Sequence, residues 1–186
     1  MRIISGKLKG KKIFLPENDK TRPLRDLVKE SIFNLINHSN KFNISIKGAN
    51  VLDLFSGTGS FGLECLSRVA NKVIFVESYS EALKVLKKNI ELFKIHKRTS
   101  IINENCFNFT NFKKNFNDKF DIIFIDPPYK EEKINLLINI IKDEKILKKE
   151  GILIIHRHKK DKIIISNRVK IIDERNYGIS KIMIGR

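Results

Sequence analysis

Strand-like apolar runs alternate with helical segments over most of the chain, and this alternation limits the folds it can adopt. The runs lie at residues 51–55, 73–76, 99–103, 122–125 and 152–155. Apolar residues at helical spacing lie between them, at residues 60–68, 80–95 and 133–141. Alternating strands and helices form parallel sheets. We therefore predict an α/β fold in which the carboxyl ends of the strands share one edge.

The two ends of the chain have a different pattern. Residues 162–172 and 179–184 predict two final strands, and with no helix between them they favour an antiparallel pair at the edge of the sheet. At the start, residues 2–5 and 11–15 predict the two arms of a hairpin. A helix should follow over residues 24–36, because apolar residues recur there at helical spacing.

The apolar run 122–125 ends in a stiff loop, Asp126-Pro127-Pro128-Tyr129. Each proline fixes its own φ and lacks an N–H, and the residue before each is kept out of the helical region. Open α/β sheets bind their ligands at such strand ends. The carboxylate, carbonyls and flat ring of the loop suit a planar group that carries an exocyclic amine. A simple proline stop after a core strand would share the pattern.

A glycine-bearing turn follows the run 51–55. Gly57 and Gly59 let the backbone approach a ligand without a Cβ in the way. The spacing Gly57-x-Gly59-x-x-Gly62 matches the dinucleotide fingerprint, but Asp53 lies just before the turn, where a carboxylate would repel a pyrophosphate. Since Asp53 suits an ammonium group, the turn favours a cofactor with an amino-acid tail.

Two more strand ends carry polar residues. Glu77 ends the second run, where an acid can accept both hydroxyls of a ribose. Asn105 and Cys106 follow the third run, at the place of an adenine in this geometry. A lone acid at a strand end is usually a solvated turn residue. Three in chain order, Asp53, Glu77 and Asp126, indicate a binding edge.

These motifs support a family resemblance. Asp53-x-Phe55-x-Gly57-x-Gly59 followed by Asp126-Pro127-Pro128-Tyr129 resembles the S-adenosylmethionine-dependent amino-methyltransferases. The start of the chain, with residues 1–6, 9–11, 22–23 and 28–34, is similar to the RsmD family, bacterial methyltransferases that act on guanine N2 in 16S ribosomal RNA. The resemblance runs from Met1 to Arg186. Residues 156–158 depart from it, since the family often carries acidic residues there.

The resemblance implies one Rossmann-like class I methyltransferase domain over residues 1–186, with a mostly parallel seven-stranded sheet and an antiparallel closing strand. Residues 1–48 would face RNA and residues 49–186 would form the catalytic core. The cofactor would be S-adenosyl-L-methionine, bound by Asp53, Phe55, Gly57, Gly59, Glu77, Asn105 and Cys106. The catalytic residues would be Asp126, Pro127, Pro128 and Tyr129. The partner would be 16S rRNA, within a 30S subunit or an assembly intermediate.

The charge distribution favours a nucleic-acid partner. The chain has 37 basic and 21 acidic residues, a formal net charge of +16. Residues 1–50 carry 11 basic and 4 acidic side chains, and residues 151–186 carry 9 and 3, so the excess lies at the two ends. Basic ends suit a polyanion, although a generally lysine-rich surface would also have this charge. The candidate RNA contacts are Arg2, Lys9, Lys11, Arg22 and Arg25.

Other features of the sequence bear on metal binding and on the cellular location of the protein. Cys65 and Cys106 lie in unrelated segments, and the four histidines do not cluster with cysteines or acids, so no metal site is expected. No apolar stretch reaches the ~20 residues that a membrane span needs, and no signal peptide is visible. We expect a cytoplasmic protein that is a monomer.

Three other functions stay open. A DNA adenine or cytosine amino-methyltransferase would use the same loop chemistry, but 186 residues leave little room for a target-recognition region. A protein-glutamine methyltransferase would have no obvious use for basic ends. A non-catalytic RNA-binding module on a methyltransferase-like scaffold would not require Asp53, Glu77 and Asp126.

Overall fold

The computed structural model of the protein describes residues 1–17, 24–108, 118–129, 131–162 and 164–186. Within these ranges the helices are α1 (Asp26–His38), α2 (Ser60–Ser67), α3 (Ser80–Phe93) and α4 (Ile134–Asp143), with a short 3-10 helix at His96–Arg98. The strands are β1 (Asn50–Leu54), β2 (Lys72–Glu77), β3 (Thr99–Asn103), β4 (Phe120–Ile125), β5 (Leu147–His158), β6 (Ile171–Tyr177) and β7 (Ser180–Gly185). None of the helices in these ranges has the length and apolar character needed to cross a membrane.

The seven strands form one sheet in the order β3-β2-β1-β4-β5-β7-β6. The first five strands along the chain pair in parallel, and β7 runs antiparallel to both of its neighbours, β5 and β6. This confirms the predicted mostly parallel α/β sheet with an antiparallel closing strand. The strand order reverses between β1 and β4, and open α/β sheets bind their ligands at such a reversal.

The strand register brings the predicted binding edge together. Leu54 of β1 pairs with Val76 of β2 on one side and with Ile125 of β4 on the other. Glu77 and Asp126 each follow the partner of Leu54 by one residue, and Asp53 precedes Leu54 by one. The three carboxylates therefore lie at one edge of the sheet, at the reversal.

Both faces of the sheet are covered, as parallel sheets require. Successive residues of a strand point to opposite faces, so Val51 joins one apolar cluster and Leu52 the other. The first cluster contains residues of α1, α2 and α3, and the second contains those of α4. The sheet thus lies between two helical layers.

The sixth strand lies later in the chain than the sequence pattern predicts. The expected strand at 162–172 was wrong: Ile164 is 86% exposed and the Val169 N–H closes a turn on the Ser166 carbonyl. The observed strand β6 is mostly polar, and its buried residue Asp173 is held by Lys41 at 2.9 Å. Because an ion pair with a distant residue allows Asp173 to be buried, this strand lacks the alternating apolar residues that predict a strand.

The predicted N-terminal hairpin is present. Arg2 and Lys12 form an antiparallel bridge, and the Ile3 N–H donates to the Lys11 carbonyl at 2.9 Å. Ile3 and Ile13 are buried against the first apolar cluster. The hairpin therefore packs on the core through its apolar face, and Arg2 and Lys12 are exposed.

Buried charges fasten this hairpin to α2. The carboxylate of Glu64 accepts the N–H groups of Ile4 at 2.7 Å and of Ser5 at 2.9 Å, and also the Nε–H of Arg68. Lys29 of α1 lies 3.9 Å from Glu64 and donates to the Arg2 carbonyl. Burial lowers the pKa of Lys29, and the charge of Glu64 opposes that effect.

Replacing Glu64 should loosen the hairpin and destabilise the protein. Glu64→Ala leaves buried donors without an acceptor, so we expect the free energy of unfolding to fall by about 3–5 kcal/mol in urea titrations. Glu81→Ala is the control, because Glu81 is a helical carboxylate paired with exposed Lys84. The control should leave the urea midpoint nearly unchanged. Equal midpoints for both variants would contradict the anchoring role of Glu64.

Candidate active site

A buried acid lies at the centre of the binding edge. Asp53 is 1% exposed, and its Oδ2 accepts the Gly62 N–H at 3.0 Å. Burial raises the pKa of Asp53 well above its usual range, and the charges of Asp126 and Glu77 raise it further against the effect of the Gly62 hydrogen bond. This edge of the sheet therefore favours a cationic ligand.

The turn between β1 and α2 depends on left-handed backbone. Phe55, Gly57 and Gly59 have φ values of 58°, 55° and 83°. The left-handed φ of Gly59 would strain any other residue, and a Cβ there would also lie 2.5 Å from Leu86 Cδ1, so this position favours glycine. The tight turn leads straight into α2 at Ser60, which directs the first N–H groups of the helix toward the sheet edge.

Glu77 connects the glycine turn to the end of β2. Its Oε2 accepts the Gly57 N–H at 2.7 Å, and its Oε1 accepts the N–H groups of Ser78 and Tyr79, each at 2.8 Å. A carboxylate has about four acceptor positions. The backbone contacts therefore orient Glu77 and still leave capacity for a ligand hydroxyl.

The third strand end packs beneath the glycine turn. The Phe55 N–H donates to the Cys106 Sγ at 3.3 Å, and the Phe55 and Phe107 rings lie 5.7 Å apart. Burial raises the pKa of Cys106 to about 12, so the side chain is a neutral thiol. Asn105 is exposed, and its Oδ1 accepts the Phe107 N–H.

The proline loop presents its aromatic ring to solvent. Pro127 is buried, whereas Tyr129 is 53% exposed and contacts the His158 ring edge-on at 4.9 Å between centroids. Asp126 lies at the mouth of the loop, and its Oδ1 is 2.7 Å from Nδ1 of His156. The loop therefore offers a carboxylate and an accessible ring side by side.

A buried arginine holds the backbone of this loop. Arg157 donates to the carbonyls of Pro128 at 3.4 Å, Tyr129 at 3.3 Å and Glu131 at 3.0 Å, and it is paired with Asp161. Three carbonyls bound by one guanidinium limit the motion of the loop. The two prolines stiffen the same segment from within.

Sequence reasoning did not assign roles to residues 156–158. The structure shows that all three contact the proline loop: His156 at Asp126, Arg157 at the loop carbonyls and His158 at the Tyr129 ring. A signal was available, because a parallel neighbour of β4 must end beside the loop. The register that pairs Ile155 with Ile125 is set by the tertiary fold.

Four of the five candidate RNA contacts lie on the surface. Arg2, Lys9, Lys11 and Arg25 are exposed, and Arg22 lies outside the described residues. The second arm of the hairpin is adjacent to the glycine turn, because Asn89 accepts the Phe14 N–H at 2.8 Å and donates to the Thr58 carbonyl at 3.1 Å. The basic hairpin therefore borders the binding edge. Across the described ranges, no three His, Cys, Asp or Glu residues are grouped to hold a metal ion.

The sheet order, the glycine turn and the acidic strand ends define a class I methyltransferase domain. The model of the family "Conserved hypothetical protein 95" matches residues 1–186, and the chain belongs to this family. Ribosomal RNA small subunit methyltransferase D of Buchnera aphidicola subsp. Acyrthosiphon pisum is 36% identical over 163 residues, 88% of this chain and 81% of that protein.

Solved structures share the fold. A candidate methyltransferase from Escherichia coli superposes with a TM-score of 0.81 at 27% identity, over 100% of this chain and 96% of the other. A candidate methyltransferase bound to SAH superposes with a TM-score of 0.65 at 18% identity, over 84% of this chain and 48% of the other. The predicted family and the predicted methyltransferase fold are confirmed.

Removing the arginine that holds the loop should have a local effect and a global one. In Arg157→Ala the carbonyls of Tyr129 and Glu131 lose this donor and the buried ion pair with Asp161 is broken, so we expect the free energy of unfolding to fall by about 3 kcal/mol. Amide hydrogen exchange at Tyr129 and Glu131 should accelerate. Arg175→Ala, which changes a half-exposed arginine of β6, should leave exchange in the loop unchanged. Unaltered loop exchange in Arg157→Ala would show that the prolines alone stiffen it.

Proposed function

We propose that this protein transfers a methyl group from S-adenosylmethionine to the exocyclic N2 of a guanine in 16S ribosomal RNA. The observation that carries the proposal is the carboxylate of Asp126, held in a stiff Pro-Pro-Tyr loop beside an acidic edge at the reversal of the sheet. The relatives named ribosomal RNA small subunit methyltransferase D support the choice of substrate.

The residues at the binding edge fit this cofactor. S-adenosylmethionine supplies the methyl group from a positively charged sulfonium. Asp53 would pair with the ammonium of its amino-acid tail, and the raised pKa of Asp53 means that a cation relieves an unfavourable buried charge. Glu77 would accept a ribose hydroxyl at the acceptor position that its three backbone donors leave open. The remaining contacts would come from Phe55, Gly57, Gly59, Asn105 and Cys106.

The proline loop would orient the target amine. An exocyclic base amine is a poor nucleophile because its lone pair is delocalised into the ring. The Asp126 carboxylate and the Pro127 carbonyl would accept hydrogen bonds from its two N–H groups and so turn the lone pair toward the methyl group. This is catalysis by positioning and electrostatics. Within the described part of the chain, the Pro127 carbonyl accepts no hydrogen bond.

The remaining steps concern the base and its proton. Tyr129 would stack on the guanine, in line with its exposed ring, and Pro128 would keep the ring in place. A guanine within paired RNA would first be extruded from its stack. As the N–C bond forms, the S–CH3 bond of the sulfonium would break with its electron pair left on sulfur, so that S-adenosylhomocysteine leaves. The cationic amine would then release one proton to Asp126 or to water.

The N-terminal segment would bind the RNA. Residues 1–48 would face the RNA and residues 49–186 would form the catalytic core. Arg2, Lys9, Lys11, Arg22 and Arg25 would contact phosphates or bases. The partner would be 16S rRNA within a 30S subunit or an assembly intermediate, and the protein would act as a cytoplasmic monomer.

Tritium transfer tests the reaction. Labelled S-adenosylmethionine is incubated with the protein and with 30S particles that lack the modification, and the RNA is digested to nucleosides. We expect label in N2-methylguanosine of 16S RNA. Asp126→Ala should lower turnover by at least about 100-fold, since one acceptor of the amine is lost, with unchanged affinity for S-adenosylmethionine. Glu132→Gln, an exposed carboxylate near the loop, is the control and should retain turnover.

The same assay separates the alternatives. Label found only in duplex DNA or only in protein would replace the RNA substrate by another amine and leave the fold assignment intact. Cofactor binding without label in any substrate would point to a non-catalytic RNA-binding module. Full turnover by Asp126→Ala would refute the role given to Asp126.

Charge reversal in the hairpin tests the RNA-binding face. The double variant Lys9→Glu, Lys11→Glu should bind 16S RNA more weakly and show a smaller dependence of log Kd on log salt concentration, by about 1 for each phosphate that the hairpin no longer binds. The control is Lys149→Glu, which changes an exposed lysine near the start of β5, the end of the strand that lies away from the binding edge. An equal decrease of log affinity per reversed charge in the two proteins would assign binding to total charge.

A further inference from the structure

A contact at the end of β5 has no part in the chemistry described so far. His156 Nδ1 lies 2.7 Å from Asp126 Oδ1, and His156 Nε2 lies 2.9 Å from Ser180 Oγ. The side chains of His156 and Asp126 are 19% and 25% exposed, and Ser180 is buried in β7. The imidazole thus lies between a carboxylate at the site and a hydroxyl inside the sheet.

This order of Asp, His and Ser is also the order of a hydrolase triad, but Ser180 is placed wrongly for a nucleophile. It is 7% exposed, and in the sheet it pairs with His158 of β5 and Tyr177 of β6. Because Ser180 is buried, a substrate carbonyl has no access to its Oγ. The role left to the Ser180 hydroxyl is its hydrogen bond with the imidazole of His156.

The hydrogen-bonding partners determine where the imidazole proton lies. A carboxylate only accepts hydrogen bonds, so Nδ1 must carry a proton to bond with Asp126. A hydroxyl both donates and accepts, so Ser180 can donate to Nε2 of the neutral ring. The bond made by one ring nitrogen sets the protonation of the other. Ser180 thereby favours the tautomer that donates to Asp126.

We infer that His156 is a positioning residue that holds Asp126 by Oδ1 and leaves Oδ2 directed at the target amine, an inference that rests on the proposed methyl transfer. Asp126 and Asp53 repel each other across the edge. Without a donor at Oδ1, this repulsion and rotation of the carboxylate would turn Asp126 away from the amine. A displacement of about 1 Å in a positioned group can lower turnover about 100-fold.

Paired substitutions at His156 test this role. His156→Leu removes both hydrogen bonds and should lower kcat about 100-fold, with KM for the particle and affinity for S-adenosylmethionine unchanged. His156→Asn places an amide N–H near the position of Nδ1 and should recover most of kcat. His96→Leu changes an exposed histidine and serves as the control. Unchanged kcat in His156→Leu, or an equal decrease in the Asn variant, would overturn the inference.

The proton position provides a readout that needs no turnover. Long-range 1H–15N NMR of the imidazole should find the His156 proton on Nδ1 in the wild-type protein, and this state should disappear in Asp126→Ala. A wild-type ring protonated only on Nε2 overturns the inference. If the wild-type protein labels no RNA, the proposed function fails, whereas an Nδ1 proton that depends on Asp126 still upholds the contact. The two failures are thus distinguishable.

Discussion

The parallel alignment of β1, β2 and β4 is the constraint on which the site depends, because it brings three carboxylates to one edge. Such an arrangement is unfavourable by itself, and the raised pKa of Asp53 reflects both its burial and the neighbouring charges. Backbone N–H groups of Gly57 and Gly62 offset part of that cost. The rest of the cost remains, and it gives the edge its preference for a cation.

Helix α2 links this edge to the basic N-terminal hairpin. The helix begins at the glycine turn, and one turn later its Glu64 binds the backbone of Ile4 and Ser5. A second connection runs through Asn89, which contacts both Phe14 of the hairpin and Thr58 of the turn. Buried hydrogen bonds therefore set the distance between the surface proposed to meet RNA and the edge proposed to hold the cofactor.

Local patterns were enough to predict much of this fold. The third strand has the predicted bounds, Thr99–Asn103, because its apolar residues and its polar end are adjacent in sequence. The positions of Asp53, Glu77 and Asp126 at the ends of strands were predicted for the same reason. Strand β6 was misplaced, because the burial of Asp173 depends on Lys41, a residue from the far end of the chain.

The contacts of His156 could not be predicted from local sequence patterns for a related reason. Asp126 lies 30 residues before it and Ser180 lies 24 residues after it. Only the register of β5 with a parallel neighbour on one side and an antiparallel neighbour on the other brings the three together. Sequence periodicity indicates which residues face the core, but it contains no information about which strand lies alongside which.

The end of β5 explains how a short loop can be ordered before a substrate binds. Successive side chains of a strand alternate in direction. His156 and His158 therefore contact the side chains of Asp126 and Tyr129, while Arg157 binds the carbonyls of the loop. Two prolines stiffen the loop from within, and the Tyr129 ring stays exposed. A site ordered before substrate arrives loses little conformational entropy on binding. Poor nucleophiles such as base amines need this order, because their reactivity depends on how the lone pair is directed.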